Sequence, residues 1–293
     1  MTTVHVIINP SSGQNEPILN TLNTVWGNEL SWDISITHTG GDARRLASKI
    51  IADGVDVLAV YGGDGTVSEV ADVLQGGQTP LAILPGGTGN GVARMLNIPM
   101  TLAEAAKLLL EPHQLRSLDL GQINSHPFIL RADVGFMAQA GAATPRLSKD
   151  RLGKWAYALS AFQHRALLEP IPYQMTLDGQ KVEVEGVMAL VINAGAVAFG
   201  QQPLAAGISP DDGLLDVLVL TRNDFAALVA VASSALLGNS TSMQHWQIKT
   251  AEIGTVPPQK MAVDGESIEE SPARIQVLPQ AVKVIVPVQA PEA

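Results

Sequence analysis

The chain has 293 residues, of which 46% are hydrophobic, so it can bury enough apolar surface for two folded domains and is not disordered. Its 28 acidic residues outnumber the 18 basic ones and give a net charge of −10, which argues against nucleic-acid binding, because that needs cations against phosphates. Without any cysteine, the chain forms neither disulfides nor thiolate metal sites.

The start of the chain and its longest apolar stretch bear on its location. The first residues are typical of a strand and lack the basic start and apolar run of a signal peptide. Residues 225–237 form the longest apolar stretch, which is shorter than the roughly 20 residues needed to cross a bilayer. We therefore predict no transmembrane segment and a cytoplasmic protein that is at most peripheral to a membrane. A homodimer stays open.

Strand and helix signals alternate over the first third of the chain. The pattern predicts strands at residues 4–8, 32–37, 55–60 and 81–84 and helices at residues 19–26, 43–51, 67–74, 91–96 and 102–110. Asp42 is predicted to cap the second of these helices and Gly54 to end it. Thr101 and Glu104 are predicted to form a capping box. Such alternation predicts an α/β domain with a parallel sheet.

From about Leu118 the pattern changes to short runs separated by turn signals, which predicts a mostly antiparallel β-sandwich or open barrel. The pair Asp178-Gly179 is predicted to turn a hairpin. Helices are predicted at residues 152–168 and 224–237. We expect an α/β domain at residues 1–117 and a β-rich domain at 118–280. A C-terminal strand and tail at 281–293 either returns to the first domain or stays in the second.

Three loops follow predicted strands, with the sequences NPSSG at 9–13, GGDGT at 62–66 and GGTGN at 86–90. Ligands of a parallel sheet bind beyond the carboxyl ends of its strands, so these loops are expected at one edge. Their glycines allow close approach of the backbone, and the start of a helix favours a phosphate. Asp64 would repel a phosphate unless it meets a metal ion, a ribose hydroxyl or loop N–H groups. The alternative for GGDGT is a tight turn without a ligand.

The second glycine loop adds weaker evidence, since Thr88 and Asn90 offer a hydroxyl and an amide to a phosphate or a base. The Walker pattern GxxxxGK[ST] is absent, and no clean GxGxxG follows a strand. The sequence therefore indicates neither a P-loop nor a standard dinucleotide site.

Together these motifs resemble the diacylglycerol kinase catalytic family, which includes bacterial lipid kinases and sphingosine kinases. The matching segments are NPSSG at 9–13, THTGGDA at 37–43, YGGDGTVSEV at 61–70, LPGGTGNGVAR at 84–94, DDGLLDV at 211–217 and VDGE at 263–266. The resemblance implies a nucleotide-binding α/β domain, a β-sandwich-like substrate and metal domain, and an active site in the cleft between them. It also implies ATP, Mg²⁺ and a lipid substrate at a membrane surface, with diacylglycerol as the default.

The resemblance implies a role for each matching residue of the first domain. The implied ATP site consists of Asn9, Pro10, Ser11, Ser12, Gly13, Thr37, Gly62, Gly63, Asp64, Gly65, Thr66, Val67, Ser68 and Thr88, with Asn90 close by. Glu69 either orients the glycine loop or is only a favourable charge at a helix N-terminus.

Two acidic turns of the second domain match the family as well. The Asp212 carboxylate and the carbonyls of Ser209 and Leu214 are implied to hold Mg²⁺, although the residues alone favour a solvated turn. Asp264 and Glu266 are implied to be catalytic. One would accept the proton of the lipid hydroxyl and the other would orient it or contact metal, and the sequence does not decide between them.

The chain departs from the family pattern at two positions, with Gly91 in place of an aspartate and Ala206 in place of a proline. Basic residues around the helix predicted at 152–168 indicate either a membrane-surface contact or the solvated side of a core helix. Two alternative functions stay open. One is an NAD kinase-like enzyme acting on a soluble nucleotide, and the other is an inactive regulator that binds a nucleotide or a lipid.

Overall fold

The computed structural model describes residues 1–12, 16–135, 138, 169–194, 207–221 and 243–288. Gly13, Ala206 and the helices predicted at 152–168 and 224–237 lie outside the described residues. The chain divides into two compact units, Met1–Leu118 with Gln280–Ala293 and Asp119–Pro279. The domain limits expected from the sequence stay a prediction. Within the described part, no helix is long and apolar enough to span a membrane.

The first unit alternates strands and helices. Its elements in chain order are β1 (Thr3–Ile8), a 3₁₀ turn (Pro10–Ser12), α1 (Ile18–Trp26), β2 (Ser31–Ile36), α2 (Asp42–Asp53), β3 (Val57–Gly62), α3 (Asp64–Leu74), β4 (Leu81–Pro85), α4 (Gly91–Met95) and α5 (Leu102–Lys107). The four strands are parallel and lie in the order β2, β1, β3, β4. This confirms the parallel α/β sheet predicted from the sequence.

Burial explains why these segments fold as they do. Every residue of β3 and β4 is buried, as expected for central strands covered on both faces. Helix α3 buries Val67, Val70, Ala71 and Leu74, which recur at helical spacing. Helix α2 ends at Gly54, whose φ of 81° favours glycine.

The prediction that Asp42 caps α2 is wrong. The N-cap position is Gly41, and Asp42 Oδ2 instead accepts hydrogen bonds from the backbone N–H groups of His38 (2.9 Å) and Thr39 (3.1 Å). These bonds, led by that from His38 and supported by Arg45, hold the pKa of Asp42 well below its usual range. The carboxylate therefore closes the turn before the helix.

Every element of the second unit whose bounds are described is a strand. In chain order the remaining strands are β5 (His113–Ile123, which begins in the first unit), β6 (His126–Phe128), β7 (Arg131–Gly135), β8 (Ile171–Leu177), β9 (Gln180–Gly186), β10 (Met188–Ile192), β11 (Leu215–Leu220), β12 (Met243–Ile248), β13 (Thr250–Thr255), β14 (Lys260–Val263), β15 (Glu266–Glu270) and β16 (Ala273–Pro287). The predicted hairpin turn between β8 and β9 is confirmed, with positive φ at Asp178 (45°) and Gly179 (84°).

Two antiparallel sheets form the second unit. One has the order β12, β11, β10, β7, β14, β15, and the other runs from the first part of β16 through β13 and β8 to β9. Alternate residues of both sheets form one apolar cluster, which includes Ala132, Val134, Ala189, Val191, Val217, Met175 and Ile253. The mostly antiparallel, sandwich-like domain predicted from the sequence is confirmed. The last part of β16 belongs to the first unit, where Val284 pairs in parallel with Leu81 of β4.

Candidate active site

The three predicted phosphate-binding loops follow β1, β3 and β4 at the same edge of the parallel sheet, and the segment that contains Thr37 follows β2 there. Backbone hydrogen bonds tie each loop to its neighbour: Asn9 N to Tyr61 O (2.9 Å), Thr37 N to Ile8 O (2.9 Å) and Gly86 N to Gly62 O (3.0 Å). Parallel pairing thus brings together four segments that are distant in sequence. The sequence predicts this arrangement for the three loops NPSSG, GGDGT and GGTGN, because the carboxyl ends of parallel strands meet at one edge.

The two glycine loops touch each other through their backbones. A Cβ atom added at Gly87 would lie 2.5 Å from the Cα of Gly63, which no real Cβ tolerates. A Cβ at Gly86 would lie 2.7 Å from the ring of Tyr61. Tyr61 is buried and donates its hydroxyl hydrogen bond to Glu16 Oε1 (2.6 Å), and burial, with Glu16, raises its pKa. Close packing of the loops therefore requires glycine at positions 86 and 87.

The position of Asp64 answers why a carboxylate stands in a predicted phosphate loop. Its Oδ1 accepts a hydrogen bond from the backbone N–H of Val92 (3.0 Å), in the first turn of α4. Its Oδ2 is close enough to Gly89 that a Cβ there would lie 3.2 Å away. Of the three roles open from the sequence, binding to N–H groups is present. Asp64 connects the first glycine loop to the helix after the second.

Asn9 shapes the first loop. Its Nδ2 donates to Thr66 Oγ1 (2.8 Å), and its Oδ1 accepts from Ser11 N (3.0 Å). Pro10 and Ser11 are exposed, and Ser12 is half-buried. The side chain of Asn9 is thus used to join the loop to α3.

Asn90 has a comparable role in the second glycine loop. It adopts a left-handed conformation with φ of 49° and is 4% exposed. Its Oδ1 accepts from Gly87 N (2.9 Å) and its Nδ2 donates to Gly87 O (2.8 Å), so the amide predicted to face a ligand holds its own loop. Thr88 is exposed. The exposed side chain of Arg94, which the sequence reading did not single out, donates from Nε to Gly89 O (3.0 Å).

The remaining residues of the predicted ATP site lie on α3 and after β2. Val67 is 2% exposed and belongs to the core, and its N–H donates to Gly63 O (3.1 Å). Thr37 and Thr66 are buried, Gly65 is exposed and Ser68 is half-buried.

Glu69 stabilises the start of α2. Its Oε1 accepts from the N–H of Gly41 (3.1 Å) and its Oε2 from that of Arg44 (3.3 Å). The glutamate therefore supplies the cap that Asp42 does not.

In the second unit, Asp264 holds a neighbouring segment through backbone hydrogen bonds. It lies in the turn between β14 and β15 with φ of 46°. Its carboxylate accepts from the N–H groups of Ile129 (3.0 Å), Leu130 (3.1 Å) and Arg131 (2.9 Å). Glu266, two residues further on, is exposed. The two predicted catalytic carboxylates therefore have different surroundings.

The predicted metal turn lies between Ser209 and Leu214. Asp212 Oδ1 accepts from Leu214 N (3.0 Å), and Ser209 Oγ donates to Asp211 Oδ1 (2.7 Å). Buried Asp119 accepts from Gly213 N at 2.6 Å and donates its own N–H to Pro210 O at 2.7 Å. Partial burial raises the pKa of Asp212, and the charges of Asp216 and Asp119 raise it further.

Comparison with known proteins identifies the family. Residues 3–123 match the diacylglycerol kinase catalytic domain, and residues 131–286 match the YegS C-terminal NAD kinase beta sandwich-like domain. The chain belongs to the diacylglycerol kinase and YegS-like family. A Pseudomonas aeruginosa protein named "Probable lipid kinase YegS-like" is 33% identical over 268 residues, which cover 90% of this chain and 87% of that protein.

Solved structures share this family fold over nearly the whole chain. A crystal structure from Bacillus anthracis str. Sterne has a TM-score of 0.83 at 29% identity, covering 97% of this chain and 96% of the other. Another, described as a diacylglycerol kinase of the same organism, has a TM-score of 0.74 at 26% identity, with coverage of 97% and 96%.

The metal that the family implies fits the turn at residues 209–214. Burial is the main cause of the raised pKa of Asp212, and the negative charges of Asp216 and Asp119 add to it. A bound cation would offset those charges. Carboxylate and carbonyl oxygens are also the ligands that Mg²⁺ prefers. Among the described residues, no group of three His, Cys, Asp or Glu side chains is arranged to hold a metal ion. The fit thus rests on one carboxylate together with carbonyl oxygens.

Several buried polar residues of this family member were not found from the sequence. Asp119, Asp216 and Asn193 are 0% exposed, and Asp133 is 4% exposed. His245 Nε2 lies 2.6 Å from Asp216 Oδ1, and burial raises the pKa of Asp133 despite Arg131 nearby. The available signal was a polar residue within an apolar strand pattern, as in the sequences SLDLG and LVINAG.

Proposed function

We propose that this protein is an ATP-dependent kinase that transfers the γ-phosphate of ATP to a lipid hydroxyl, with diacylglycerol as the default acceptor. The observation that carries the proposal is the contact between Gly63 and Gly87. Through this contact the two glycine loops pack together at the carboxyl edge of the parallel sheet, in a chain of this family. Loops this close leave backbone, not side chains, to face a ligand, which suits a phosphate.

The nucleotide would bind at this edge through the residues implied by the family. Helix α3 begins at Asp64, so the N–H groups of Asp64 and Gly65 precede its first intrahelical bond and are available to a phosphate oxygen. The loops are supported by hydrogen bonds from the side chains of Asn9, Glu69 and Asn90. We therefore assign these three side chains to the shape of the site, and the backbone of residues 62–66 to the triphosphate.

The acceptor chemistry is assigned to the turn at residues 264–266. The lipid oxygen forms a bond to the γ-phosphorus, the bond from that phosphorus to the β–γ bridging oxygen breaks, and ADP leaves. A carboxylate accepts the hydroxyl proton. We assign this role to exposed Glu266, because the carboxylate of Asp264 already accepts three backbone hydrogen bonds. Asp264 would then fix the turn.

Mg²⁺ is proposed at Asp212 with the carbonyls of Ser209 and Leu214. An ion bound there would neutralise the surrounding carboxylates, and it would be separate from the ion that accompanies ATP. Phosphoryl transfer depends mainly on positioning and on charge neutralisation, so a weak carboxylate base is sufficient. A lipid acceptor also means that the protein would work at a membrane surface, and we propose that it does so from the cytoplasm.

The test is a transfer assay with γ-labelled ATP. The purified protein is given Mg²⁺ and, in separate mixed-micelle reactions, diacylglycerol, sphingosine or monoacylglycerol, with NAD in solution as a further arm. We expect label in a lipid, dependence on Mg²⁺ and loss of transfer in Glu266→Gln. Label in NAD alone would favour the NAD kinase-like alternative, which the name of the matching C-terminal domain keeps relevant. Tight ATP binding without transfer would favour a regulator.

A further inference from the structure

Each backbone N–H and carbonyl group of residues 129–131 takes part in a hydrogen bond. The three N–H groups donate to the carboxylate of Asp264. The carbonyls are used as well, since Asn193 Nδ2 donates to Ile129 O (2.8 Å), Asn193 N to Leu130 O (2.9 Å) and Asp264 N to Arg131 O (3.0 Å). Asp264 thus accepts hydrogen bonds from all three N–H groups of this segment, and Asn193 donates to two of its three carbonyls.

Asn193 also reaches the turn predicted to bind Mg²⁺. The same Nδ2 donates to Asp119 O (2.8 Å). Asp119 in turn accepts from Gly213 N through its side chain and donates its N–H to Pro210 O. A continuous path of hydrogen bonds therefore runs from Gly213 through Asp119 and Asn193 to residues 129–131 and Asp264. Every bond in it lies within the second unit.

Because this path is buried, the loss of one of its hydrogen bonds affects the residues around it. Asn193 and Asp119 are both 0% exposed, so water cannot replace a lost donor. The orientation of the amide is fixed, because two carbonyl oxygens face it and only the NH₂ group can donate to both. In a buried network, loss of one member changes the positions of the others, and the coupling is measurable as non-additivity.

We infer that Asn193 is a positioning residue that couples the turn at residues 209–214 to the turn carrying Asp264 and Glu266. The catalytic part of this inference rests on the proposed function, since Asn193 links the turn proposed to bind Mg²⁺ to the turn that carries the proposed base. A displacement of the turn at residues 209–214 would move Asp119 and, through it, Asn193 and residues 129–131. Because Asp264 is hydrogen-bonded to residues 129–131, the position of the proposed base Glu266 would change as well. Asn193 does not contact the reacting atoms.

The first experiment measures the coupling without using activity. Hydrogen exchange of the amides of residues 129–131 is compared in the wild type, Asp212→Ala, Asn193→Leu and the double variant. Asp212→Ala, which loosens the turn, is expected to speed this exchange about 5-fold or more in the wild-type background and to add little in the Asn193→Leu background. Equal effects in both backgrounds would overturn the coupling.

A matched control separates coupling from general loss of a buried hydrogen bond. Thr255 Oγ1 and Ser271 Oγ lie 2.6 Å apart, both residues are buried in the same unit, and neither belongs to the path. In a Thr255→Val background, Asp212→Ala should still speed exchange of residues 129–131. If Asn193→Leu does not fold, Asn193→Ser keeps one donor and is expected to reduce the coupling in part.

The second experiment uses turnover. Asn193→Leu is expected to lower kcat about 10-fold or more while the KM for ATP changes less than about 2-fold, because the proposed ATP loops lie in the first unit. A raised KM for ATP with unchanged kcat would contradict a positioning role. If the wild type phosphorylates no lipid, the proposed function fails, yet the exchange cycle still decides whether Asn193 couples the two turns.

Discussion

Asp64 and Val92 join the two glycine loops, because the carboxylate of the first loop accepts the backbone N–H of the helix that follows the second, at 3.0 Å. The pair fixes the distance between loops whose backbones already touch at Gly63 and Gly87. The carboxylate of Asp64, which looks unsuited to a phosphate site, thereby holds the two loops together. This negatively charged group accepts a hydrogen bond from an N–H group of the protein.

The hydrogen bond between Asp64 and Val92 leads us to expect different results for two substitutions of Asp64. Asp64→Ala removes the acceptor of a hydrogen bond to a charged group, which contributes about 1.5–3 kcal/mol. We therefore expect the affinity for ATP to fall about 10-fold or more. Asp64→Asn keeps an oxygen that can accept from Val92 and should retain most of the affinity. ATP binding by calorimetry measures both. Equal losses in the two variants would show that the charge itself is used, as it would be by a metal ion.

Gly87→Ala is expected to separate the loops. The new Cβ would lie 2.5 Å from backbone, which cannot rotate away, so we expect a loss of about 1–3 kcal/mol in the free energy of unfolding together with loss of ATP binding. Denaturant unfolding measures the first effect.

Gly65→Ala is the matched control for that substitution, because a Cβ there meets nothing within 4 Å. Its stability should not fall. Weakened ATP binding at unchanged stability would indicate a phosphate packed against residue 65, and unchanged binding would contradict the proposed position of the triphosphate.

The fold was predictable where the signal is local. The strands β3 and β4 are short apolar runs that lead into glycine loops, and both are fully buried. The capping of α2 was not predictable in this way, because the local pattern of an acidic residue before a helix points to Asp42. The carboxylate that caps the helix comes instead from Glu69, which lies 28 positions after Gly41. Such a partner is chosen by the packing of α3 against α2 and leaves no local signal.

The candidate site divides in the same way. Glycine density identified the loops, but the use of Asn9 and Asn90 as supports for their own loops depends on bonds that appear only after folding. Asn193 and Asp119 were missed because each is a single polar residue in an apolar run. Only the sheet topology brings them together.

Glu69→Ala tests whether that residue supports the fold or binds the nucleotide. Loss of two bonds to the start of α2 should lower the free energy of unfolding by about 1 kcal/mol. Asp72→Ala is a fitting comparison, because Asp72 lies on the same helix and pairs with exposed Arg44 at 2.8 Å, a contact expected to contribute about 0–1 kcal/mol. Unchanged stability with a large loss of ATP affinity would instead assign Glu69 to the ligand.

The raised pKa of Asp212 predicts a pH-dependent effect of Asp212→Asn. A carboxyl whose folded pKa lies above the unfolded value of 3.8 stabilises the fold below that value, and this stabilisation is lost as the pH rises through the folded pKa. In metal-free buffer at about pH 7, Asp212→Asn should therefore have a higher Tm than the wild type, with the difference shrinking towards about pH 4. Added Mg²⁺ should raise the Tm of the wild type more than that of the variant. A lower Tm for the variant at neutral pH without metal would refute the prediction.

Glu266→Gln and Asp264→Asn should differ, although both carboxylates were equal candidates for the base from the sequence. Glu266 is exposed, so its amide variant should keep the wild-type Tm while kcat falls about 100-fold or more, the usual contribution of a general base. Asp264→Asn replaces an oxygen that accepts backbone N–H groups with an NH₂ group that cannot, so it should lower both the Tm and kcat. Thermal unfolding and steady-state kinetics on the same preparations separate the two. If Glu266→Gln turns over normally while Asp264→Asn is inactive at an unchanged Tm, the base is Asp264 and the assignment is reversed.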